Sequence, residues 1–308
     1  MLKYKLIINP TAGKGAALKA VPAIEHNLKA LNLNYEIVLT ECPGHAINLA
    51  YQAVKDKFDV VVSGGGDGTA NEVINGLMRA RQEGIDHVTM GVLAIGRGND
   101  FAYSMGVPVN LNAACDVLLK AEGPLIDIGF LKGGLYPQGR YFGNGVGIGF
   151  DAVVGFEAAK LRRLSGMPGY VVGAFKTMFL YFKAPILEVS YGGKKITQPC
   201  LMVSIMNGRR LGGTFFMAPQ GKQDDGVFDL TIVGQLSRMG ILMMIPRFMK
   251  GTQAGHPAIQ IYKTDKVVVR AVKGSIPAHA DGETMCTEGE QLTIELLPRQ
   301  IKHICQVA

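Results

Sequence analysis

The sequence predicts an α/β protein in which a mainly parallel sheet is followed by a second, antiparallel β-rich domain. Three observations predict this fold: the length of 308 residues, the alternation of strand-like and helical patterns in the first part, and glycine-rich β segments after Gly123-Pro124. A chain of this length exceeds one typical domain, so we expect two domains with separate cores. The 40 glycines suit tight turns and close backbone approaches better than a helical bundle.

The first domain is predicted from buried strands that alternate with helices. Apolar strand-like runs span residues 6–8, 35–39, 59–62 and 90–95. Helical patterns lie near residues 15–31, 44–56, 70–83 and 110–120. This alternation indicates βαβ units and a mainly parallel sheet. The last apolar segment, residues 301–307, is a candidate for an additional strand of this domain.

The second domain is predicted from shorter β segments separated by turns. These segments span residues 125–131, 140–148, 185–191, 199–206, 227–234, 258–262, 265–272 and 291–297. Two helical stretches, residues 151–182 and 237–250, interrupt them. An antiparallel sandwich or a barrel-like domain is the expected result.

Composition narrows the classes of partner. Lys and Arg outnumber Asp and Glu by 32 to 25, which favours anionic partners. No long basic run, zinc-finger spacing or tryptophan is present, so nucleic acid is not expected as a partner. The five cysteines form no C-x-x-C pair, which favours reduced thiols in a cytoplasm over disulfides or zinc. No apolar run approaches the roughly 18 residues of a spanning helix, so we expect no transmembrane segment.

A glycine-rich segment lies where a predicted strand turns into a predicted helix. Residues 64–69 read Gly-Gly-Gly-Asp-Gly-Thr and follow the apolar run 58–63. Glycines before a helix N-terminus let backbone N–H groups approach an anion, and the helix dipole favours negative charge there. An aspartate would repel a bare phosphate, so Asp67 predicts a nucleotide accompanied by Mg²⁺. A tight turn alone would not require this whole run of residues.

The start of the following helix is predicted from Thr69 and Glu72, which have the spacing of a capping box. The G-x-x-x-x-G-K-[ST] spacing is absent from the loop, which disfavours a P-loop NTPase.

Together with Asn71-Glu72, residues 65–69 resemble the signature of the diacylglycerol kinase catalytic-domain family, in its bacterial lipid kinase branch. Other motifs resemble the family's in the same order along the chain: Asn9-Pro10 with Gly13, Thr40, residues 96–102 (Gly-Arg-Gly-Asn-Asp-Phe-Ala), Asp225-Gly226 with Asp229, and Asp281-Gly282-Glu283. The resemblance implies an N-terminal Rossmann-like (NAD kinase/diacylglycerol kinase-like) nucleotide domain and a C-terminal antiparallel β-sandwich domain. Residues 1–123 plus about 298–308 would form the first, and residues 124–297 the second.

The resemblance also implies an ATP-dependent lipid kinase that transfers the γ-phosphoryl group of Mg-ATP to a hydroxyl of diacylglycerol or a related lipid. The residues implied to bind the nucleotide are Asn9, Thr40, Gly65, Gly66, Asp67, Gly68, Thr69, Ala70, Asn71, Glu72 and Arg97. Glu283 is implied as the general base, with Asp281 assisting a metal or the geometry. In isolation, an Asp-Gly pair would indicate only a surface hairpin turn.

A structural Mg²⁺ is implied at Lys222, Asp225 and Val227, through one carboxylate and backbone carbonyls. Oxygen ligands and several waters are what Mg²⁺ requires. By itself, a pair of acids before a glycine would indicate a solvated turn. Arg97 departs from the family pattern, which has a small threonine there, so its effect on ATP affinity is open.

Two segments are candidates for contact with lipid. They are Lys160–Arg163 leading into Tyr170–Phe182, and the methionine-rich residues 238–250. Methionine-rich faces adapt to irregular ligands, and flanking cations suit anionic headgroups. Core helices that cover a sandwich have the same pattern. We expect a cytoplasmic protein that meets its lipid substrate by peripheral contact at the inner face of the cell membrane, and homo-oligomerisation is left open.

Two alternatives remain open. An NAD kinase shares the glycine-aspartate loop, although Asn71-Glu72 and residues 99–102 favour the lipid kinase branch. A weakly catalytic regulator that binds nucleotide or lipid is the second alternative. Arg97, which departs from the family pattern, is the feature that favours it. The retained acids Asp67, Asp225, Asp281 and Glu283 argue against it.

Overall fold

The structure is a computed structural model that describes residues 1–121, 123–160, 173, 177 and 183–305. The chain forms two compact units. The first comprises Met1–Ile128, Gln223–Asp225 and Leu297–Ala308, and the second comprises Gly129–Lys222 and Gly226–Leu296. The first division therefore falls after Ile128, whereas the sequence-based boundary is Gly123-Pro124. Among the described residues, no helix is long and apolar enough to cross a membrane.

The first unit is built on a parallel sheet. Its strands are β1 (Lys3–Ile8), β2 (Asn34–Leu39), β3 (Val60–Gly65) and β4 (Thr89–Ala94). Its helices are α1 (Ala12–Ala30), α2 (His45–Lys55), α3 (Asp67–Gln82), α4 (Asp100–Ser104) and α5 (Leu111–Leu118). The strand order is β2-β1-β3-β4, and every pairing is parallel. Lys302 and His303 of the C-terminal strand pair in parallel with β4. The predicted α/β fold with a parallel sheet is confirmed.

Burial explains why these segments are strands and helices. Val60, Val61 and Val62 of β3 are fully buried, as expected for a central strand covered on both faces. Helices α2 and α3 pack closely because Gly76 has no side chain: a Cβ there would lie 2.4 Å from the Ile47 carbonyl oxygen. The short helix α4 is absent from the sequence-based expectations, because its five residues are too few to show a helical period.

The second unit is an antiparallel sandwich. Its strands are β5 (Leu125–Gly133, which begins in the first unit), β6 (Tyr136–Phe142), β7 (Gly145–Gly149), β8 (Ile186–Tyr191), β9 (Lys194–Met206), β10 (Phe228–Gly234), β11 (Ile259–Thr264), β12 (Lys266–Lys273), β13 (Ile276–Ala280), β14 (Glu283–Gly289) and the first part of β15 (Gln291–His303). One sheet runs β14-β13-β7-β9-β10-β11, and the other runs β9-β8-β12-β15. Strand β9 belongs to both, because its first half pairs with β8 and its second half with β7 and β10.

Apolar side chains fill the space between the two sheets. Val203 and Ile205 of β9, Val267 of β12 and Ile294 of β15 belong to one buried cluster. The other face of the first sheet is covered by helices, which include α6 (Phe150–Lys160) and α7 (Arg238–Lys250). The predicted β-sandwich is confirmed, and the barrel-like alternative is not needed.

The second unit also corrects the sequence-based elements. Residues 140–148 form the end of β6 and most of β7 rather than one strand. Strands β13 and β14 were not expected, because neither carries a run of β-branched residues with a clear alternation. The predicted helix over 151–182 begins as α6, but the larger part of it, with Arg162, Arg163 and most of Tyr170–Phe182, lies outside the described residues.

Candidate active site

The glycine loop joins β3 to α3. The helix begins at Asp67, with Gly66 as an extended N-cap residue. The first N–H groups of a helix have no acceptor within the helix, so this turn can donate to an anion. Thr69 in the same turn accepts a hydrogen bond from Asn9 Nδ2 at 3.3 Å, and the Asn9 carbonyl oxygen Oδ1 accepts from the Thr11 hydroxyl at 2.8 Å. The loop after β1 is therefore tied to the glycine loop.

The predicted capping box is wrong. The Glu72 carboxylate accepts from the backbone N–H of Gly44 at 2.7 Å and of Ala46 at 3.0 Å, both at the start of α2. It therefore holds α2 in place and does not cap α3, whose first residue lies before Thr69. Asn71 is fully buried and accepts from Asn75 Nδ2. A contact between nucleotide and Ala70, Asn71 or Glu72 stays a prediction.

A second loop packs directly on the glycine loop. Asn99 closes this loop on itself, since its side chain accepts from Gly96 N at 2.9 Å and donates to Gly96 O at 3.1 Å. Asn99 has a φ of 54°, a left-handed conformation that asparagine tolerates. A Cβ on Gly96 would lie 2.3 Å from Gly66 Cα, so only glycine allows this approach. Arg97 in the loop is exposed, and it has no ion-pair partner among the described residues.

Two carboxylates converge at Gly98. A Cβ built on Gly98 would lie 2.9 Å from Asp67 Oδ2 and 3.4 Å from Asp100 Oδ2. The other Asp67 oxygen accepts from the backbone N–H of Phe101 at 2.9 Å, at the start of α4. Asp100 is buried, and the sequence-based site residues did not include it, although it stands in the Asn99-Asp100 motif itself.

The two carboxylates suit Mg²⁺, which binds proteins through one or two carboxylates together with waters and substrate phosphates. Within the described ranges, no cluster of three or more His, Cys, Asp or Glu side chains could hold a metal alone. Asp67 and Asp100 would therefore supply only part of the ligands of Mg²⁺, and a nucleotide and water would have to supply the rest. The residues present fit this kind of site.

His303 packs behind the short helix α4. Its ring makes an edge contact with Phe101 at 5.3 Å between centroids and 86° between planes. Burial lowers the pKa of His303 from 6.5 to about 3, so the imidazole is neutral at physiological pH. His303 therefore supports α4 as an uncharged packing group.

In the second unit, Asp281 and Gly282 form the turn between β13 and β14. Their φ values of 49° and 84° are those of a type I′ hairpin turn, for which Asp-Gly is a favoured pair. The Asp281 carboxylate is nevertheless buried: Oδ2 accepts from Gly143 N at 2.7 Å, and Oδ1 accepts from Asn144 N and Gly145 N at 3.0 Å each. Asp281 therefore anchors the hairpin to the start of β7, which agrees with a geometric role.

Glu283 is the first residue of β14 and pairs with Ala280 across the turn. Its side chain is half-buried, in contrast with the buried Asp281. The anchored turn fixes the backbone from which Glu283 projects. Its role as a base stays a prediction.

An imidazole and a carboxylate meet over Gly147 of β7. His279 of β13 is the cross-strand partner of Gly147, and its Nε2 lies 3.6 Å from Asp151 Oδ2 at the start of α6. A Cβ on Gly147 would lie 2.0 Å from that Asp151 oxygen. The pair links α6 to the strand that precedes Asp281, which is a structural role.

The remaining predicted residues are Thr40 of the first unit and the loop that contains Lys222, Asp225 and Val227. Thr40 follows β2, and its N–H donates to the Ile8 carbonyl at 2.9 Å. Lys222 and Asp225 are exposed and Val227 is half-buried, in a loop where Gly226 has a φ of 76°. Metal binding by this loop stays a prediction.

Two family models and several named proteins are similar to this chain. Residues 3–131 match the diacylglycerol kinase catalytic domain family, and residues 144–305 match the YegS C-terminal NAD kinase beta sandwich-like domain. Two proteins named diacylglycerol kinase, from Staphylococcus aureus strains bovine RF122 / ET3-1 and JH9, are each 29% identical over 284 residues. Each alignment covers 91% of this chain and 86% of the relative.

Solved structures share the fold. A crystal structure of a diacylglycerol kinase from Bacillus anthracis strain Sterne superposes with a TM-score of 0.75 at 23% identity, over 99% of this chain and 97% of that one. Yeast NADH kinase complexed with NADH superposes with a TM-score of 0.51 at 10% identity, over 99% and 84% of the two chains. At these identities the likeness concerns the fold alone. The two domain matches, which together cover most of the chain, show that it belongs to the diacylglycerol kinase catalytic-domain family and is a lipid kinase.

Proposed function

We propose that this lipid kinase transfers the γ-phosphoryl group of ATP to the hydroxyl of diacylglycerol or a closely related lipid. The observation that carries the proposal is the convergence of Asp67 and Asp100 on Gly98, beside the first turn of α3. This arrangement offers backbone N–H donors for phosphate and oxygen ligands for its cation within one unit. Phosphoryl transfer needs mainly such positioning and charge neutralisation.

Each group has a separate task in the proposed reaction. The N–H groups at the start of α3 hold phosphate oxygens, and Asn9 holds the Thr69 side chain beside them. Asp67 and Asp100 would hold Mg²⁺, which would supply neutralisation of the phosphate charge. Glu283 accepts the proton of the attacking lipid hydroxyl. Asp281 keeps the Glu283 backbone fixed through its three N–H bonds.

The test is a transfer assay with radiolabelled ATP and separate acceptors in mixed micelles: diacylglycerol, monoacylglycerol, ceramide and sphingosine, with NAD⁺ in solution as a further acceptor. We expect label in diacylglycerol or a related lipid, and its loss in an Asp67→Asn variant. Label in NAD⁺ would instead support the NAD kinase alternative. Binding of ATP without transfer to any acceptor would support the regulator.

Arg97 is expected to contribute to nucleotide affinity through charge alone, since it is exposed beside the glycine loop. Arg97→Thr should weaken ATP binding by roughly fivefold at low salt, because an exposed charge contributes about 1 kcal/mol or less. The difference should shrink as salt screens it. Calorimetric titration with ATP at two ionic strengths measures this, and Lys19→Thr, which removes an exposed cation of α1, is the control. Equal affinities of Arg97→Thr and the unaltered protein would dismiss the role.

A further inference from the structure

One face of helix α7 packs against the sheet of the second unit. It begins after Ser237, whose hydroxyl accepts from Gly240 N at 3.0 Å, and it ends at Gly251 with a φ of 68°. Both ends are therefore capped by residues suited to those positions. Ile241, Met244 and Phe248 are buried in an apolar cluster against the sheet. These contacts fix the rotation of the helix about its axis. They therefore determine which of its residues face away from the sheet.

The opposite face of α7 combines exposed methionines with cations. Met239 and Met243 are 65% and 64% exposed, although methionine usually lies inside a protein. Arg247 and Lys250 are also exposed. At 3.6 residues per turn these four positions fall within about a quarter of the helix circumference, opposite the buried residues. We call these four residues the outer face of α7.

The charged side chains of this helix are all positive. Residues 238–250 contain three cations and no acid, within a chain of net charge +7. Methionine side chains adapt to irregular apolar surroundings, and cations beside them are attracted to anionic lipid. A neutral protein partner would explain the methionines but not the absence of acids. An anionic bilayer explains both.

We propose that the outer face of α7 docks the protein on an anionic membrane surface. Met239 and Met243 enter the region between headgroups and acyl chains, while Arg247 and Lys250 contact lipid phosphates. This inference deepens the proposed function and rests on it. A kinase that phosphorylates diacylglycerol must reach a bilayer, because its acceptor lies there. It assigns the encounter with the bilayer to one helix of the second unit.

The experiment measures sedimentation with vesicles of pure phosphatidylcholine and of phosphatidylcholine mixed with phosphatidylglycerol, without ATP. The unaltered protein should bind the anionic vesicles more tightly, and more weakly at high salt. Met239→Ser with Met243→Ser should lower the partition coefficient by about tenfold. Arg247→Glu with Lys250→Glu should lower it by about tenfold and remove the preference for anionic vesicles.

Matched controls come from other exposed positions of the same unit. Leu135 and Val272 are exposed by 66% and 57%, so Leu135→Ser with Val272→Ser removes similar apolar surface away from α7. Arg270→Glu with Lys273→Glu reverses two exposed charges on β12. Both control pairs should bind vesicles within about twofold of the unaltered protein. Circular dichroism and thermal unfolding of every variant establish that it is folded, and the buried face of α7 is unchanged in all of them.

Vesicle binding that is unaffected by both α7 pairs would overturn the proposal, and so would an equal loss in the control pairs. Concentration-dependent dimerisation that the Met239→Ser with Met243→Ser pair abolishes, without vesicle binding, would also overturn it in favour of a second copy as the occupant. Transfer to a short-chain, monomeric diacylglycerol separates this inference from the proposed function. If the α7 variants keep that turnover but lose vesicle binding, both stand. If no lipid is phosphorylated yet α7 governs vesicle binding, the docking surface stands and the proposed reaction fails.

Discussion

Replacing Glu283 by glutamine is expected to lower kcat for phosphoryl transfer by about a hundredfold to ten-thousandfold, the usual contribution of a positioned base. Glutamine has nearly the same shape but cannot accept the hydroxyl proton. Glu283 starts β14 and is half-buried, so the change should leave the free energy of unfolding within about 0.5 kcal/mol. Steady-state kinetics with diacylglycerol in mixed micelles, together with urea unfolding, measures both quantities.

The control for this prediction is Glu288→Gln on the same strand, where the glutamate is exposed. It should leave kcat unchanged. Robust turnover by Glu283→Gln would remove Glu283 from the role of base. A parallel loss of stability and activity would instead indicate a structural role.

Replacing Asp281 by alanine is expected to lower the free energy of unfolding by about 3–5 kcal/mol. The change removes the acceptor of three backbone N–H groups, of Gly143, Asn144 and Gly145, that would stay buried without a partner. Alanine also adopts the left-handed φ of this position poorly. Urea unfolding followed by circular dichroism measures the loss.

A second variant separates the two contributions. Asp281→Gly removes the carboxylate but accepts a positive φ without strain, so it should be more stable than Asp281→Ala by about 1 kcal/mol. Glu288→Ala, which removes an exposed carboxylate of β14, should change the free energy of unfolding by less than about 0.5 kcal/mol. Urea midpoints for Asp281→Ala that match the unaltered protein would show that the three N–H bonds contribute little.

Asp281 and Glu283 flank the same turn, yet Asp281 is buried and Glu283 is only half-buried. Their spacing in the sequence does not reveal this difference in burial. The Asp-Gly pair correctly indicates a tight hairpin, because both positions need left-handed backbone. The partners of the Asp281 carboxylate lie more than 130 residues earlier in the chain. No local pattern contains that information, so only the folded chain assigns the anchor.

In the first unit, Glu72 likewise has hydrogen-bond partners that its local sequence does not predict. The spacing from Thr69 fits a capping box, but the carboxylate bonds to the N-terminus of α2, which precedes it by more than 20 residues. Asp100 shows the reverse case: the sequence-based site omits it, and the fold brings its carboxylate towards Gly98 beside that of Asp67. The position of the glycine loop between a strand and a helix was predicted correctly, because that feature depends on neighbouring residues.

By itself, the sequence determined where the strands of the parallel sheet lie, where the glycine loop joins β3 to a helix, and that the chain turns at Asp281-Gly282. Each of these features depends on residues that are neighbours in the chain, through hydrophobic periodicity and the backbone freedom of glycine. Only the tertiary structure decided that the carboxylates of Glu72 and Asp281 accept hydrogen bonds from distant backbone N–H groups. It also decided that the carboxylates of Asp67 and Asp100 lie beside Gly98. The partner of a charged side chain is set by the segments that fold next to it, and those segments are distant in the sequence.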